Sequence, residues 1–282
     1  MRIALINSGL GLLGAAAELH RLRPDADLVL AMDPDGMPWG PRAPADIADR
    51  SLAAARAVAA FWPDALVFAC NTGTVHALDA LRAEFEPGLP VVGTVPAIKL
   101  AAAHSASVAI WATVATTASA YQRRLIADFA GPARVTAVAC PGLADAIDSG
   151  DEAGTTAAVA DAGARTPADC GAVVLGCTEY ELAAGTIAAA LPGVTLFGSA
   201  AAVAAQALRR AGARGGSAAE LPGTSRRTGG DGSGAEPPGT PRRTGTVRVL
   251  LSGRPADLPA AALRYPEGRL LARLVAGRSV SA

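Results

Sequence analysis

The chain has 282 residues, 51% hydrophobic and 18% charged, which suffices for a sizeable core and excludes a wholly disordered or fibrous protein. Twenty-five basic residues balance twenty-five acidic ones, so the field of a general nucleic-acid or anionic-membrane binder is missing. Four cysteines without a CxxC pair, and three histidines, exclude a disulfide scaffold and offer no metal-ligand spacing, so any working cysteine is expected to act as a thiol in a reducing compartment.

Arg2 and the apolar run after it resemble the start of a secretory signal. Asn7-Ser8-Gly9 breaks that run where it should continue, so a cytoplasmic location is expected. Short apolar runs then alternate with longer alanine-rich stretches. Arg2–Ile6, Asp27–Ala31, Ala65–Ala69, Pro90–Val95, Ser107–Trp111, Val135–Ala139, Ala172–Gly176 and Val194–Phe197 read as buried strands. Leu12–Leu22, Asp46–Trp62, Val75–Phe85, Ala118–Phe129 and Glu181–Leu191 read as helices. This alternation predicts an α/β fold with mostly parallel sheets covered on both faces. Leu182 to Gln206 lacks charge, but Gly185, Pro192, Gly193 and Gly198 divide it into lengths too short for a membrane span. From Gly212 to Gly245, ten glycines and four prolines fill 34 positions without an apolar period, the composition of a flexible insertion. Strand character returns at Val247–Leu251.

One chemical pattern occurs twice. Ala65–Cys70 followed by Asn71-Thr72, and Ala172–Cys177 followed by Thr178-Glu179, each put a cysteine at the end of a buried strand with a helix expected next. Ligands of open α/β sheets bind beyond the carboxyl ends of strands. A thiol there faces helix amides, which favour a thiolate and also hold a carboxylate. Two such thiols across one crevice suit inversion of a carbon centre, one removing a proton and the other returning it from the far side. Cys140 and Cys170 lack this context and read as core or loop residues, and His76 and His104 as structural ones.

At these residues the chain resembles the cofactor-independent aspartate/glutamate racemase family, and glutamate racemase within it. The family's A-C-N-T stands as Ala69-Cys70-Asn71-Thr72, and its L-G-C-T-x-Y as Leu175-Gly176-Cys177-Thr178-Glu179-Tyr180. D-S-G-x-G corresponds to Asn7-Ser8-Gly9-Leu10-Gly11, and D-x-x-x-x-P-Y-G-x-R to Asp33, Pro38-Trp39-Gly40 and Arg42. The A-T-x-x-T block, the C-P…E-S-G stretch and the C-terminal strand have counterparts at Ala112–Thr116, Cys140–Gly150 and Val247–Gly253.

The resemblance implies two pseudosymmetric three-layer lobes with the active site in the cleft between them. Lobe 1 would comprise 1–96 with 199–211 and 246–282, lobe 2 would comprise 97–198, and 212–245 would be the insertion. It implies racemisation of glutamate by Cys70 on the D-enantiomer and Cys177 on the L-enantiomer, with Glu179 as a third catalytic group and no cofactor or metal. Asn7, Ser8, Trp39, Gly40, Asn71, Thr72, Thr116, Thr178 and Asp148 would line the substrate. The partner expected is a small acidic amino acid, with neither nucleic acid nor membrane, and a homodimer is left open.

Three departures from the family pattern bear on this. Asn7 replaces the aspartate expected to assist Cys70 and cannot accept a proton. Glu179 replaces a histidine, as in the family's aspartate racemases, and its charge opposes a dianionic substrate. Trp39 replaces a tyrosine and loses its hydroxyl, while Asp148 keeps a carboxylate where the family has glutamate. These departures feed the rival readings: another acidic amino-acid racemase, a related lyase, or a descendant that binds without turnover.

Overall fold

The computed structural model describes residues 1–214 and 243–275, with the backbone alone at Arg214. Most of the expected insertion, 215–242, and the terminal stretch 276–282 lie outside the described residues. The first part of the chain forms β1 (Arg2–Asn7), α1 (Leu12–Leu22), β2 (Asp27–Met32), α2 (Pro44–Ala59), β3 (Ala65–Phe68), α3 (Asn71–Phe85) and β4 (Val91–Gly93). The middle forms α4 (Ile98–His104), β5 (Ser107–Ala112), α5 (Val114–Ala118), α6 (Ala120–Phe129), β6 (Arg134–Ala139), α7 (Leu143–Ser149), α8 (Glu152–Ala164) and β7 (Ala172–Leu175). A 3-10 turn (Thr178–Ala183), α9 (Ala184–Ala190) and β8 (Thr195–Phe197) complete it. The chain then returns through α10 (Ala200–Arg214), β9 (Val247–Leu251), β10 (Arg254–Ala256), a second 3-10 turn (Ala260–Arg264) and α11 (Pro266–Ala272).

Two sheets result, one ordered β10-β9-β2-β1-β3-β4 and the other β6-β5-β7-β8. Every pairing is parallel except β9 with β10. Alternate residues of each central strand enter different cores, as the twofold period of a strand requires. Ile3, Leu5, Leu28, Leu30 and Val67 join one apolar cluster, whereas Ala4, Ile6, Val29, Leu66 and Phe68 join a second. The first cluster continues through Trp111, Val173 and Leu175 of the smaller sheet. One contiguous core therefore ties the two sheets together.

The strand order sets the position of a ligand. From β1 the chain crosses to β2 on one side and then to β3 on the other. From β5 it crosses likewise to β6 and then to β7. Crevices open at such reversals, beyond the carboxyl ends of β1 and β3 and of β5 and β7. Cys70 and Cys177 follow β3 and β7.

Local capping explains where the elements depart from the sequence reading. Helix α3 starts at Asn71 instead of Val75, because Cys70 caps it and its Sγ accepts from Gly73 N–H at 3.3 Å. The helix expected over 118–129 is α6 and starts at Ala120, because Ser119 caps it and its Oγ accepts from Gln122 N–H at 3.1 Å; α5 ends just before it. The helix expected over 181–191 splits into the 3-10 turn and α9. The insertion's flanks are built into the fold. Helix α10 runs through Gly212, and Gly245 N–H donates to Pro24 O at 2.8 Å beside β2.

Glu181 anchors the return of the chain. Its Oε1 accepts from Ser199 N–H at 2.7 Å, Ser199 Oγ at 2.9 Å and Ala200 N–H at 3.2 Å, which caps α10 from a distance in sequence. We expect Glu181→Ala to lower the free energy of unfolding by about 1–3 kcal/mol, because it strands amides at a helix start. The urea midpoint of the two proteins measures this.

Candidate active site

Both cysteines line one cavity of about 380 Å³, together with Ser8, Trp39, Gly40, Asn71, Thr72, Asp148 and Glu179. Thr116, Asn7 and Thr178 stand behind this surface. Thr116 Oγ1 accepts from Thr113 Oγ1 at 3.1 Å, and Thr113 itself faces the cavity. Thr113, Val114, Ala115, Asp145 and the Cys140-Pro141-Gly142 turn complete much of the wall. Cys140 is thus a cavity residue, whereas the sequence reading made it a core or loop cysteine. Its position in the C-P stretch was the only sequence signal that could have found it. Cys170 is buried with its Sγ on Ala172 O, and His76 and His104 are exposed away from the cavity.

The two thiols have unlike surroundings, although the strands that deliver them are alike. Cys70 faces the first turn of a 15-residue helix. The amides of Gly73 and Thr72 favour its thiolate, but burial and the nearby Glu179 carboxylate outweigh them and push the thiol up to about 12. Cys177 faces no such helix. Its Sγ donates to Glu179 Oε2 at 2.8 Å, and burial together with that carboxylate raises its pKa as well. The expectation that helix amides tune both thiols toward neutrality is therefore corrected. Desolvation wins at both, and at Cys177 the Glu179 carboxylate adds to it against the lone Glu179 amide that favours the thiolate.

Glu179 is buried, at 4% exposure, and held by two donors. Besides Cys177, it accepts from Asn7 Nδ2 at 3.1 Å, and Thr178 Oγ1, whose proton goes to Ala69 O, stands 3.3 Å away. Asn7 therefore serves Glu179 across the cleft, where the sequence reading had placed it beside Cys70. Asp148 is the second carboxylate and is half-buried. Its Oδ1 accepts from Leu10 N–H at 2.7 Å, while burial and Glu179 hold its pKa well above the usual carboxylate range. The loop after β1 thus grips both carboxylates. A Cβ on Gly9 would strike Asp148, and one on Gly11 would strike Asn7, Thr178 and Glu179.

Trp39 turns its indole Nε1–H away from the cavity, donating to Asp33 Oδ2 at 3.0 Å, which Arg50 also approaches at 3.1 Å. Its ring meets Phe68 edge-on, 6.1 Å between centroids, and presents an apolar wall. Asn71 Nδ2 donates to Gly176 O at 2.5 Å, and its Oδ1 is buried without a partner. That oxygen is an unpaired acceptor on the residue after Cys70.

Residues 7–207 match the Asp/Glu/Hydantoin racemase family. The chain belongs to this family. A glutamate racemase from Pseudomonas putida is 36% identical over 221 residues, covering 75% of this chain and 82% of its own length. One from Herpetosiphon aurantiacus is 36% identical over 213 residues, covering 73% and 83%. Among solved structures, the fold is similar to that of Escherichia coli glutamate racemase in complex with L-glutamate and the activator UDP-MurNAc-ala. That match has TM-score 0.69 and 32% identity, and covers 75% of this chain and 82% of the other. Thermus thermophilus glutamate racemase, in complex with β-chloro-D-alanine, matches with TM-score 0.67 and 26% identity over 93% and 92%. The chain is thus an isomerase of the racemase class. Among the described residues, no helix is long and apolar enough to cross a membrane.

Two outcomes test the site's physics. Gly11→Ala drives a methyl group into the Asn7–Thr178–Glu179 contact and is expected to cost about 1–3 kcal/mol of stability. Thermal unfolding beside the unchanged protein measures it. In substrate-free protein, alkylation of Cys70 by iodoacetamide should keep climbing up to about pH 10 without a plateau, because only the thiolate reacts and the raised pKa keeps it scarce. Mass analysis of the Cys70 peptide across pH gives the profile.

Proposed function

We propose that the chain interconverts L- and D-glutamate by proton transfer between two thiols, without a cofactor. The observation carrying this reading is that Cys70 and Cys177 line a single cavity, each at the end of a central parallel strand. With L-glutamate bound, the Cys177 proton passes to Glu179 Oε2. The resulting thiolate takes the proton from Cα, and the Cys70 thiol delivers its own proton to the opposite face. The product is D-glutamate, with a protonated Glu179, a thiol at Cys177 and a thiolate at Cys70; the reverse reaction starts from that state, and passage of the Glu179 proton to Cys70 through solvent restores the starting form. The positive charge of the substrate ammonium favours thiolates that burial alone disfavours.

Ser8 from lobe 1 and Asp148 from lobe 2 complete the substrate wall, and Thr72 and Thr113 supply hydroxyls for carboxylates. The lobes we assign are 1–96 with 199–211 and 246–282, and 97–198. The role we assign is cytoplasmic supply of D-glutamate for peptidoglycan. Its support is by analogy with the Escherichia coli relative, solved with UDP-MurNAc-ala as activator.

Aspartate is the second substrate to consider. Among the described residues lining the cavity there is no Lys, Arg or His, while Asp145, Asp148 and Glu179 all face it. A distal carboxylate is therefore held by amides and hydroxyls alone, so its reach decides the fit. Incubating the protein with each enantiomer of glutamate and aspartate in heavy water tests both. Deuterium at Cα appearing with loss of optical purity identifies the reaction and the substrate together, and no exchange with either acid removes the reading. Cys70→Ser and Cys177→Ser are each expected to lower kcat by about 1,000-fold or more, since an alcohol is a far weaker acid and base. Racemisation at the original rate by either single variant would end the two-thiol mechanism.

A further inference from the structure

Asn7 is fully buried, and its amide has a single orientation that satisfies its neighbours. Its Oδ1 accepts from Ser8 N–H at 2.6 Å, so Nδ2 must face Glu179 Oε1, 3.1 Å away, and Thr178 Oγ1 at 3.4 Å. The other Glu179 oxygen accepts from Cys177 Sγ at 2.8 Å. A chain of contacts thus runs from the Ser8 amide through Asn7 and Glu179 to the thiol of the opposite lobe. Reversing the Asn7 amide would set oxygen against oxygen at Glu179 and nitrogen against an N–H at Ser8.

We infer that Asn7 is the positioning residue of Glu179: its neutral amide holds that carboxylate aimed at Cys177. This goes beyond the proposed reaction and rests on it only in taking Glu179 as the acceptor of the Cys177 proton. It also inverts the expectation drawn from sequence, in which a carboxylate at position 7 would help Cys70. An aspartate there would set a second carboxylate about 3 Å from Glu179, and two such groups do not both ionise readily. Either the pair keeps a proton, which removes the acceptor, or the thiol faces two anions. Both make the Cys177 thiolate harder to form. The groups facing Glu179 agree. Asp148 approaches from α7 and Cys70 from the start of α3, both able only to add negative charge, while Tyr180 on its own turn is raised in pKa. Asn7 is the uncharged donor that reaches it from lobe 1, since Thr178 is its neighbour in sequence.

The test reads each thiol separately and needs no turnover. Full-length protein is treated with iodoacetamide across pH, and the Cys70 and Cys177 peptides are quantified by mass spectrometry. With Asn7→Asp, the Cys177 profile is expected to move toward alkaline pH by about one unit or more, a roughly tenfold slower reaction at neutral pH, while Cys70 moves less. Asn7→Ser, which removes the donor without adding charge, is expected to move Cys177 in the same direction by a smaller amount and guards against misfolding of the aspartate variant. Asn7→Asp combined with Glu179→His replaces two carboxylates by a carboxylate and an imidazole, and should return the Cys177 profile to the original position or below it. Faster alkylation of Cys70 with Cys177 unmoved in Asn7→Asp would overturn the inference and reinstate position 7 as a partner of Cys70. So would unmoved profiles at both cysteines. Absence of turnover in the unchanged protein counts against the proposed reaction alone, because the alkylation profiles still judge Asn7.

Discussion

Two hydrogen bonds cross between the sheets in opposite directions and fix where the thiols stand. Asn71, the residue after Cys70, donates to Gly176 O, the carbonyl before Cys177. Thr178, the residue after Cys177, donates to Ala69 O, the carbonyl before Cys70, at 3.1 Å. The residue beyond each sheet's thiol therefore holds the backbone that presents the other sheet's thiol. Such a bond contributes only about 0.5–1.5 kcal/mol net, yet leaving its buried partners unpaired costs about 1–3 kcal/mol each. A slip of either strand end would break both bonds at once and displace both cysteines. Because misplacement of reacting groups by about 1 Å can cost a hundredfold in rate, this reciprocal pair constrains the chemistry more than its energy suggests.

The loop from Asn7 to Gly11 adds a second constraint. It brings two glycines and two amide donors, the Asn7 side chain and Leu10 N–H, against two carboxylates of the other lobe. No cationic side chain lines this cavity among the described residues, so the loop's dipoles bear the charge that a lysine or arginine would otherwise bear. Dipoles hold an anion with less desolvation cost than a buried ion pair, and they do not neutralise it. Both thiols consequently sit in a negative field and stay protonated in the substrate-free protein. A bound ammonium group relieves that field at the moment a thiolate is needed.

The sheets were legible because strands buried on both faces read as continuous apolar runs, and the nine predicted ones lie within a residue or two of those observed. The helices were harder. The alanine-rich stretch Glu152–Ala164 shows little contrast between faces, and α8 went unassigned for that reason; α4, α5, α7, α10 and α11 went unassigned as well. Asn71–Thr74 read as a loop because nothing in the sequence shows that a cysteine will cap a helix. In the cavity, residues within the two cysteine motifs could be named from sequence, since their neighbours in the chain are also their neighbours in space. The Asn7–Glu179 contact spans 172 positions and depends on how two lobes meet. Asn7 read as a lost base and Glu179 as a catalytic group with an opposing charge, and only their juxtaposition makes them a matched donor and acceptor.

That pairing makes the two halves chemically unequal while their topology stays alike. Cys70 has helix amides and no adjoining base, whereas Cys177 has a carboxylate acceptor and no helix. Mirror-image amino acids are equal in free energy, so this inequality cannot bias the proposed equilibrium in either direction. It acts on the barriers alone. In the proposed mechanism Glu179 can take the Cys177 proton within hydrogen-bond reach, whereas a proton leaving Cys70 has only the substrate carbon or solvent to go to. Asn7 holds that acceptor in place, which ties the last residue of β1 to a thiol beyond the other sheet.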